Sequence, residues 1–220
     1  MDHRSERLPK ISKYQKNRRI EVIYWYSNGE MCCANCGETT IEFLAIDHVN
    51  NDGFEERKTV RGNFIDYIIR NGFQEKYQIL CHNCNIIKRS EIQVKTSQSA
   101  RKTVRRMQKQ TIRRMQKTAM LYIYSNGTFS CACCGISDAT VLSFNHINGG
   151  GGAELRKNHV MAKTLTKLYD MGIKRDDINI LCTNCNMSMG FYGYCPHQKH
   201  TPECSLSCKV LNTLENNHTY

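Results

Sequence analysis

No stretch of this 220-residue chain is long and apolar enough to cross a bilayer. The opening ten residues, MDHRSERLPK, are polar and charged, so an apolar secretory leader is missing too. Acidic residues are scarce: 20 Asp and Glu stand against 31 Lys and Arg, for a formal charge of +11. An excess of that sign points to a polyanionic partner. A phosphate backbone is the usual one, because each Lys or Arg that meets a phosphate releases condensed counterions. Hydrophobic residues make up only 40%, so the chain is globular without being rich in core. Its length suits one ordinary domain or two small ones.

What the chain does have is cysteine, 13 in all. Without a secretory route, paired cysteines read as metal ligands rather than disulfides, and the odd count leaves at least one thiol outside any pairing. The chain also repeats itself. Residues 24–29, Tyr-Trp-Tyr-Ser-Asn-Gly, return as Tyr-Ile-Tyr-Ser-Asn-Gly at 122–127, an offset of 98 (122 − 24). Cys33 and Cys36 return as Cys131 and Cys134, and Asp47-His48 as Asn145-His146, at the same offset (146 − 48). Leu80-Cys81 through Cys84-Asn85 returns as Leu181-Cys182 through Cys185-Asn186 at 101 (182 − 81). The three added residues fall between His146 and Cys182, a stretch in which this copy carries Gly149 to Gly152. Such register marks an internal duplication.

Each copy follows one plan. An aromatic helical segment (20–26; 120–124) ends at Asn-Gly, a turn signal, and a Cys-x-x-Cys knuckle follows. A short apolar run (41–46; 141–144) reads as a strand ending at the His. A Gly/Asn-rich loop leads to a helix (about 60–70; 160–170) that ends at Gly72 or Gly172, and the second knuckle opens a last helix. The expected fold class is therefore a small, zinc-stabilised α+β protein. Its expected parts are a basic arm (1–19), a first module (20–95), a basic helical linker (96–118), a second module (119–190) and a Cys/His-containing tail (191–220). The linker carries Arg105, Arg106, Arg113 and Arg114, read either as phosphate contacts or as a solvated helix face.

Cys33, Cys36, Cys81 and Cys84 fit a four-thiolate zinc site, and Cys131, Cys134, Cys182 and Cys185 fit a second. One knuckle supplies two of the four tetrahedral corners, and a site with all corners filled is structural. Modules with thin cores draw much of their folding energy from such a metal. Cys32 and Cys133 lie beside the knuckles without matching each other between copies, so neither joins these sets. In the tail, Cys195, His197 or His200, Cys204 and Cys208 make a possible third zinc site.

Asp47-His48 at a strand end, followed by Cys81-x-x-Cys84-Asn85, resembles the His-Asn-His (HNH) nuclease superfamily, in particular the branch of phage recombination endonuclease VII and small phage enzymes with the same pattern. The resemblance runs along most of 33–88 and recurs in the second copy; the two copies together cover well over half of the chain, and arm, linker and tail lie outside it. It implies a tandem pair of treble-clef, or ββα-metal, modules. His48 would be the general base, a role that histidine as a residue type suits near neutral pH. Asp47 and Asn85 would hold one divalent cation, with magnesium expected, while zinc plays no chemical part. Arg57-Lys58 and Arg156-Lys157 follow the two histidines and read as a clamp on a backbone phosphate. The second copy departs from the pattern: Asn145 replaces the aspartate, so Asn145 and Asn186 offer only neutral oxygens beside His146.

These features imply a metal-dependent endonuclease acting on duplex or branched DNA, with RNA not excluded. It would work inside a cell, in cytoplasm or nucleus or with a virion, as a single-chain pseudo-dimer or a homodimer. Two other classes compete: a non-catalytic zinc-dependent nucleic-acid-binding protein on the same scaffold, and a zinc-scaffolded protein-interaction module, which the charge disfavours.

Overall fold

A capping box starts the first helix. Ser12 Oγ accepts from the Gln15 N–H at 3.2 Å, while Ser12 N–H donates to Gln15 Oε1 at 3.0 Å. The computed structural model describes residues 12–99, 104–151 and 161–198. In it α1 (Lys13–Tyr26) reaches back beyond the aromatic segment expected to be helical, and buries Ile20, Val22 and Ile23. Ser12 with Gln15 was the sequence signal for that earlier start.

The described residues form seven α-helices and two antiparallel two-stranded sheets, so the chain is α+β. They fall into two compact units: 12–85 with 187–198, and the described part of 86–186. None of the described helices is long and apolar enough to cross a membrane.

In the first unit, a 3-10 turn (Ile41–Phe43) leads into β1 (Leu44–His48), which pairs with β2 (Tyr77–Cys81). The register sets Leu44 opposite Cys81 and His48 opposite Tyr77. One end of the hairpin therefore carries a thiolate and the other the histidine. The knuckle is tied to the sheet, since Ala34 N–H donates to Ile79 O at 2.9 Å. Gly37 takes φ +74° just past Cys36, so its N–H can close back on Cys33 O at 2.9 Å.

A short helix, α2 (Gly53–Thr59), occupies the expected Gly/Asn-rich loop, and the helix expected over 60–70 is the shorter α3 (Phe64–Arg70). Asn63 separates them by capping α3: its Oδ1 accepts from Ile65 N–H at 2.9 Å and from Asp66 N–H at 3.4 Å. Helix α3 packs on α1 through Val22 and Ile68, with Tyr77 completing the buried cluster. The knuckle Cys84 lies in the first turn of α4 (His82–Ser99). Residues 187–198 also belong to this unit: Tyr194 O–H donates to the buried carboxylate of Glu42 at 2.6 Å, and the His197 ring lies 4.9 Å from that of Phe43.

The second unit repeats the pattern. Here α5 (Val104–Tyr124) buries Met120, Leu121 and Tyr124. β3 (Leu142–His146) pairs with β4 (Ile178–Cys182), again with Leu142 opposite the cysteine and His146 at the far end. Ala132 N–H donates to Ile180 O at 2.9 Å, the counterpart of Ala34. α6 (Met161–Asp170) follows the expected span and ends at Gly172, whose φ is +75°. α7 (Thr183–Tyr192) opens after Cys182, as expected. The identical register in both hairpins is the structural counterpart of the sequence repeat. The three extra residues are absorbed outside the strands.

Candidate functional site

The eight knuckle cysteines gather into the two expected groups. In each, the four sulfurs lie within 4.8 Å of one another. Cys36 and Cys81 are 3.8 Å apart through sulfur, Cys134 and Cys182 3.7 Å. A tetrahedral zinc with bonds of about 2.3 Å requires sulfur–sulfur separations of about 3.8 Å, so the donor sets fit the ion in chemistry and in size. Four thiolates this close repel each other strongly unless a cation lies between them. Asn35 Nδ2 donates to Cys84 Sγ at 3.3 Å, the kind of outer contact that orients a ligand sulfur. Each group can hold a metal ion, and zinc is compatible with both.

Two of the tail's expected ligands also meet: Cys195 Sγ lies 3.7 Å from His197 Nδ1. Cys204 and Cys208 lie outside the described residues.

At the opposite end of the first hairpin is a histidine pocket. The His48 side chain, 11% exposed, lies against Phe64 (5.6 Å between centroids, stacked) and Tyr77 (5.0 Å, edge-on). Its Nε2 pairs with Glu56 Oε2, and the Glu56 side chain is only 8% exposed. The other oxygen, Oε1, accepts from Tyr77 O–H at 2.7 Å and from Lys76 Nζ at 2.5 Å. Burial opposes ionisation of Glu56, but hydrogen bonds from Lys76, Tyr77 and His48 outweigh it and hold the carboxyl down to about 2. Conversely, the hydrogen bond to Glu56 raises the Lys76 ammonium, and burial with that same bond raises the Tyr77 phenol. On the other edge of the imidazole sits Gly53. A Cβ there would lie 2.7 Å from His48 Nδ1, about where a hydrogen-bond partner of that nitrogen would stand. Only glycine leaves that space.

Asp47 is buried beside His48, and its Oδ2 accepts from Gln78 Nε2, its cross-strand neighbour, at 2.8 Å. Asn85 is half-buried in the first turn of α4, directly after Cys84. The same hairpin and helix thus carry Cys81 and Cys84 and the expected Asp47, His48 and Asn85. Glu56, Tyr77, Lys76 and Gly53 were not foreseen. A signal existed for two of them: the spacing His48 to Gly53 and Glu56 recurs as His146 to Gly151 and Glu154. Glu154 lies outside the described residues.

In the second unit, a Cβ on Gly151 would lie 2.4 Å from His146 Nδ1, so Gly151 is the counterpart of Gly53. The surroundings differ. Asn145 Nδ2 donates to Asn179 Oδ1 at 2.8 Å, and Asn186 Nδ2 donates to Ser143 Oγ at 2.9 Å. Where the first copy has Lys76 and Tyr77, the second has Asp177 and Ile178 by strand register. Asp177 is held ionised by Arg175, whose Nε and Nη2 reach it at 2.8 and 2.6 Å.

Of the expected phosphate contacts, Arg57 and Lys58 are exposed on α2, the helix that carries Gly53 and Glu56. Lys58 pairs with Glu55 at 2.7 Å and lies over the ring of Phe54, which is 73% exposed. Arg113 and Arg114 are exposed on α5. Lys117, on the same helix, is half-buried, and burial lowers its pKa. The side chains of Arg105 and Arg106, and all of Arg156 and Lys157, lie outside the described residues. Comparison of the chain with protein-family models, with curated proteins and with solved structures finds no match.

Proposed function

We propose that this chain is a metal-dependent DNA endonuclease of the HNH type, built as two tandem treble-clef modules, with the first module carrying the chemistry. One observation supports the reading above the others. His48 stands next to a buried aspartate, at the free end of a hairpin whose other end is stapled by four thiols, and a carboxylate holds its Nε2. Acid–base work on a phosphodiester calls for such a group. Water must be deprotonated in place, because the anionic substrate repels hydroxide, and a neutral imidazole does this near pH 7.

Asp47 and Asn85 would hold a divalent cation, with magnesium the expected one, and the ion would stabilise charge growing on the phosphoryl and leaving oxygens. A carboxylate and an amide oxygen are hard donors, the type magnesium selects. His48 takes the proton of the attacking water. Arg57 and Lys58, exposed on the helix that packs against His48, supply cationic contacts to the backbone. The expected products carry a 5′-phosphate and a 3′-hydroxyl. In the second module neutral Asn145 stands in place of anionic Asp47, with Asn186 the counterpart of Asn85, so it positions nucleic acid rather than cutting it.

A second reading draws on the same pocket. A His–Glu pair this buried can serve as a structural tie in a protein that binds nucleic acid without cutting it. Cleavage of supercoiled plasmid with magnesium, by wild type, His48→Ala, His146→Ala and the double variant, separates the two. The nuclease reading expects nicked circles from wild type and His146→Ala and none from His48→Ala. Binding without cleavage of plasmid, branched DNA or RNA selects the second reading.

A further inference from the structure

We infer that Glu56 is a positioning residue for His48: helix α2 grips both edges of the imidazole, Glu56 against Nε2 and the bare Cα of Gly53 against Nδ1, and so fixes the ring in one tautomer. This rests on the nuclease reading for its catalytic meaning, though the tautomer stands on geometry alone. Gly53 and Glu56 are three residues apart on α2, one turn of one helix face, so a single rigid element reaches both nitrogens.

The chemistry follows from what each group can offer. An ionised carboxylate only accepts, so Nε2 must carry the proton it shares with Glu56. A neutral imidazole protonated at Nε2 keeps its lone pair at Nδ1, on the edge that Gly53 flanks. When Nδ1 takes up a proton, the carboxylate stabilises the imidazolium without itself being protonated, the logic of a base oriented by a third group.

Glu56 is in turn held still. Its Oε2 serves His48, while Oε1 receives Tyr77 O–H at 2.7 Å and Lys76 Nζ at 2.5 Å. Tyr77 stands opposite His48 across the sheet and also covers the ring edge-on, so one residue braces both members of the pair. Lys76 balances the carboxylate charge, which lets the pair stay buried. The second copy keeps the glycine but has Asp177 and Ile178 where Lys76 and Tyr77 stand. Neither can donate to a carboxylate, so the complete brace belongs to the first copy.

The test uses the full-length, zinc-loaded protein labelled with 15N-histidine. Long-range proton–nitrogen correlation reads the His48 tautomer, and plasmid cleavage gives kcat and KM. Wild type is expected to show the Nε2–H form. Glu56→Ala should lose that preference and lower kcat roughly 100-fold, at the low end of what a general base supplies, with KM and zinc content unchanged. Should Glu56→Ala fail to fold, Glu56→Gln decides: an amide can donate as well as accept, so a mixed tautomer and an intermediate kcat are expected. A variant that is folded, zinc-loaded, unchanged in tautomer and unchanged in kcat overturns the proposal. If wild type cuts nothing, the nuclease reading falls, and the tautomer measurement decides the positioning role by itself.

Discussion

Replacing Gly53 by alanine sets two effects of known sign against each other. Gly53 is the first residue of α2, and alanine there gains about 0.5–1 kcal/mol in backbone entropy and helix propensity. The added methyl, however, would lie 2.7 Å from His48 Nδ1 and 2.8 Å from Cε1. Ordinary carbon contacts begin near about 3.5 Å, so ring or helix must shift by roughly 0.7 Å. The ring cannot yield freely: it is stacked on Phe64, covered by Tyr77 and tied to Glu56. Overpacking of a fixed group costs about 1–3 kcal/mol. The steric term is the larger, for a net loss of up to about 2.5 kcal/mol and a displaced imidazole. Urea unfolding of zinc-loaded protein, with plasmid cleavage alongside, reads both. Gly190→Ala is the internal control, because that glycine lies inside α7 with nothing within 4 Å of its added Cβ, so it should gain stability. Gly151→Ala, where the Cβ would come within 2.4 Å of His146 Nδ1, should lose stability yet leave cleavage intact. A Gly53→Ala protein as stable as wild type and fully active would refute the packing argument.

Other outcomes can be checked directly. Stripping metal with a chelator should unfold both units, and elemental analysis of the native protein should find at least one zinc for each of the two four-cysteine groups, with Cys36→Ser losing the first. Arg57→Ala should weaken DNA binding uniformly across sequences and lower the slope of log K against log salt by about 1. Burial, helped by the nearby Glu56 charge, pushes the Tyr26 phenol up to about 12, so the stability it confers is complete below the ordinary value of 10.0 and drains away as pH rises from there toward 12. Alkaline unfolding followed at 295 nm should therefore be shallower in that window for Tyr26→Phe. Tyr194→Phe removes the 2.6 Å hydrogen bond to buried Glu42 and should cost about 1–3 kcal/mol, read by urea unfolding.

The duplication, the two thiolate groups, the strand ending at each histidine and the glycine stop at 172 were all legible in the chain, because each is local. A knuckle is four residues, a strand alternates with period two, and two copies in register check each other. Three features escaped. Helix α1 began earlier than its aromatic residues suggested, because a capping box works through two polar side chains that hydropathy does not register. The helix expected over 60–70 began only at Phe64, where Asn63 caps it, and a separate helix formed over 53–59 in the expected loop. And residues 187–198, which follow the second knuckle in sequence, belong to the first unit through Tyr194 and His197.

By itself, then, the sequence determined where the metal ligands and the candidate base lie, since those depend on spacing along the chain. Only the tertiary structure decided what surrounds the base. Glu56 comes from the next helix, Tyr77 from the opposite strand and Lys76 from the turn before it, and their meeting around one His–Glu pair depends on hairpin register and helix packing, which no local pattern encodes.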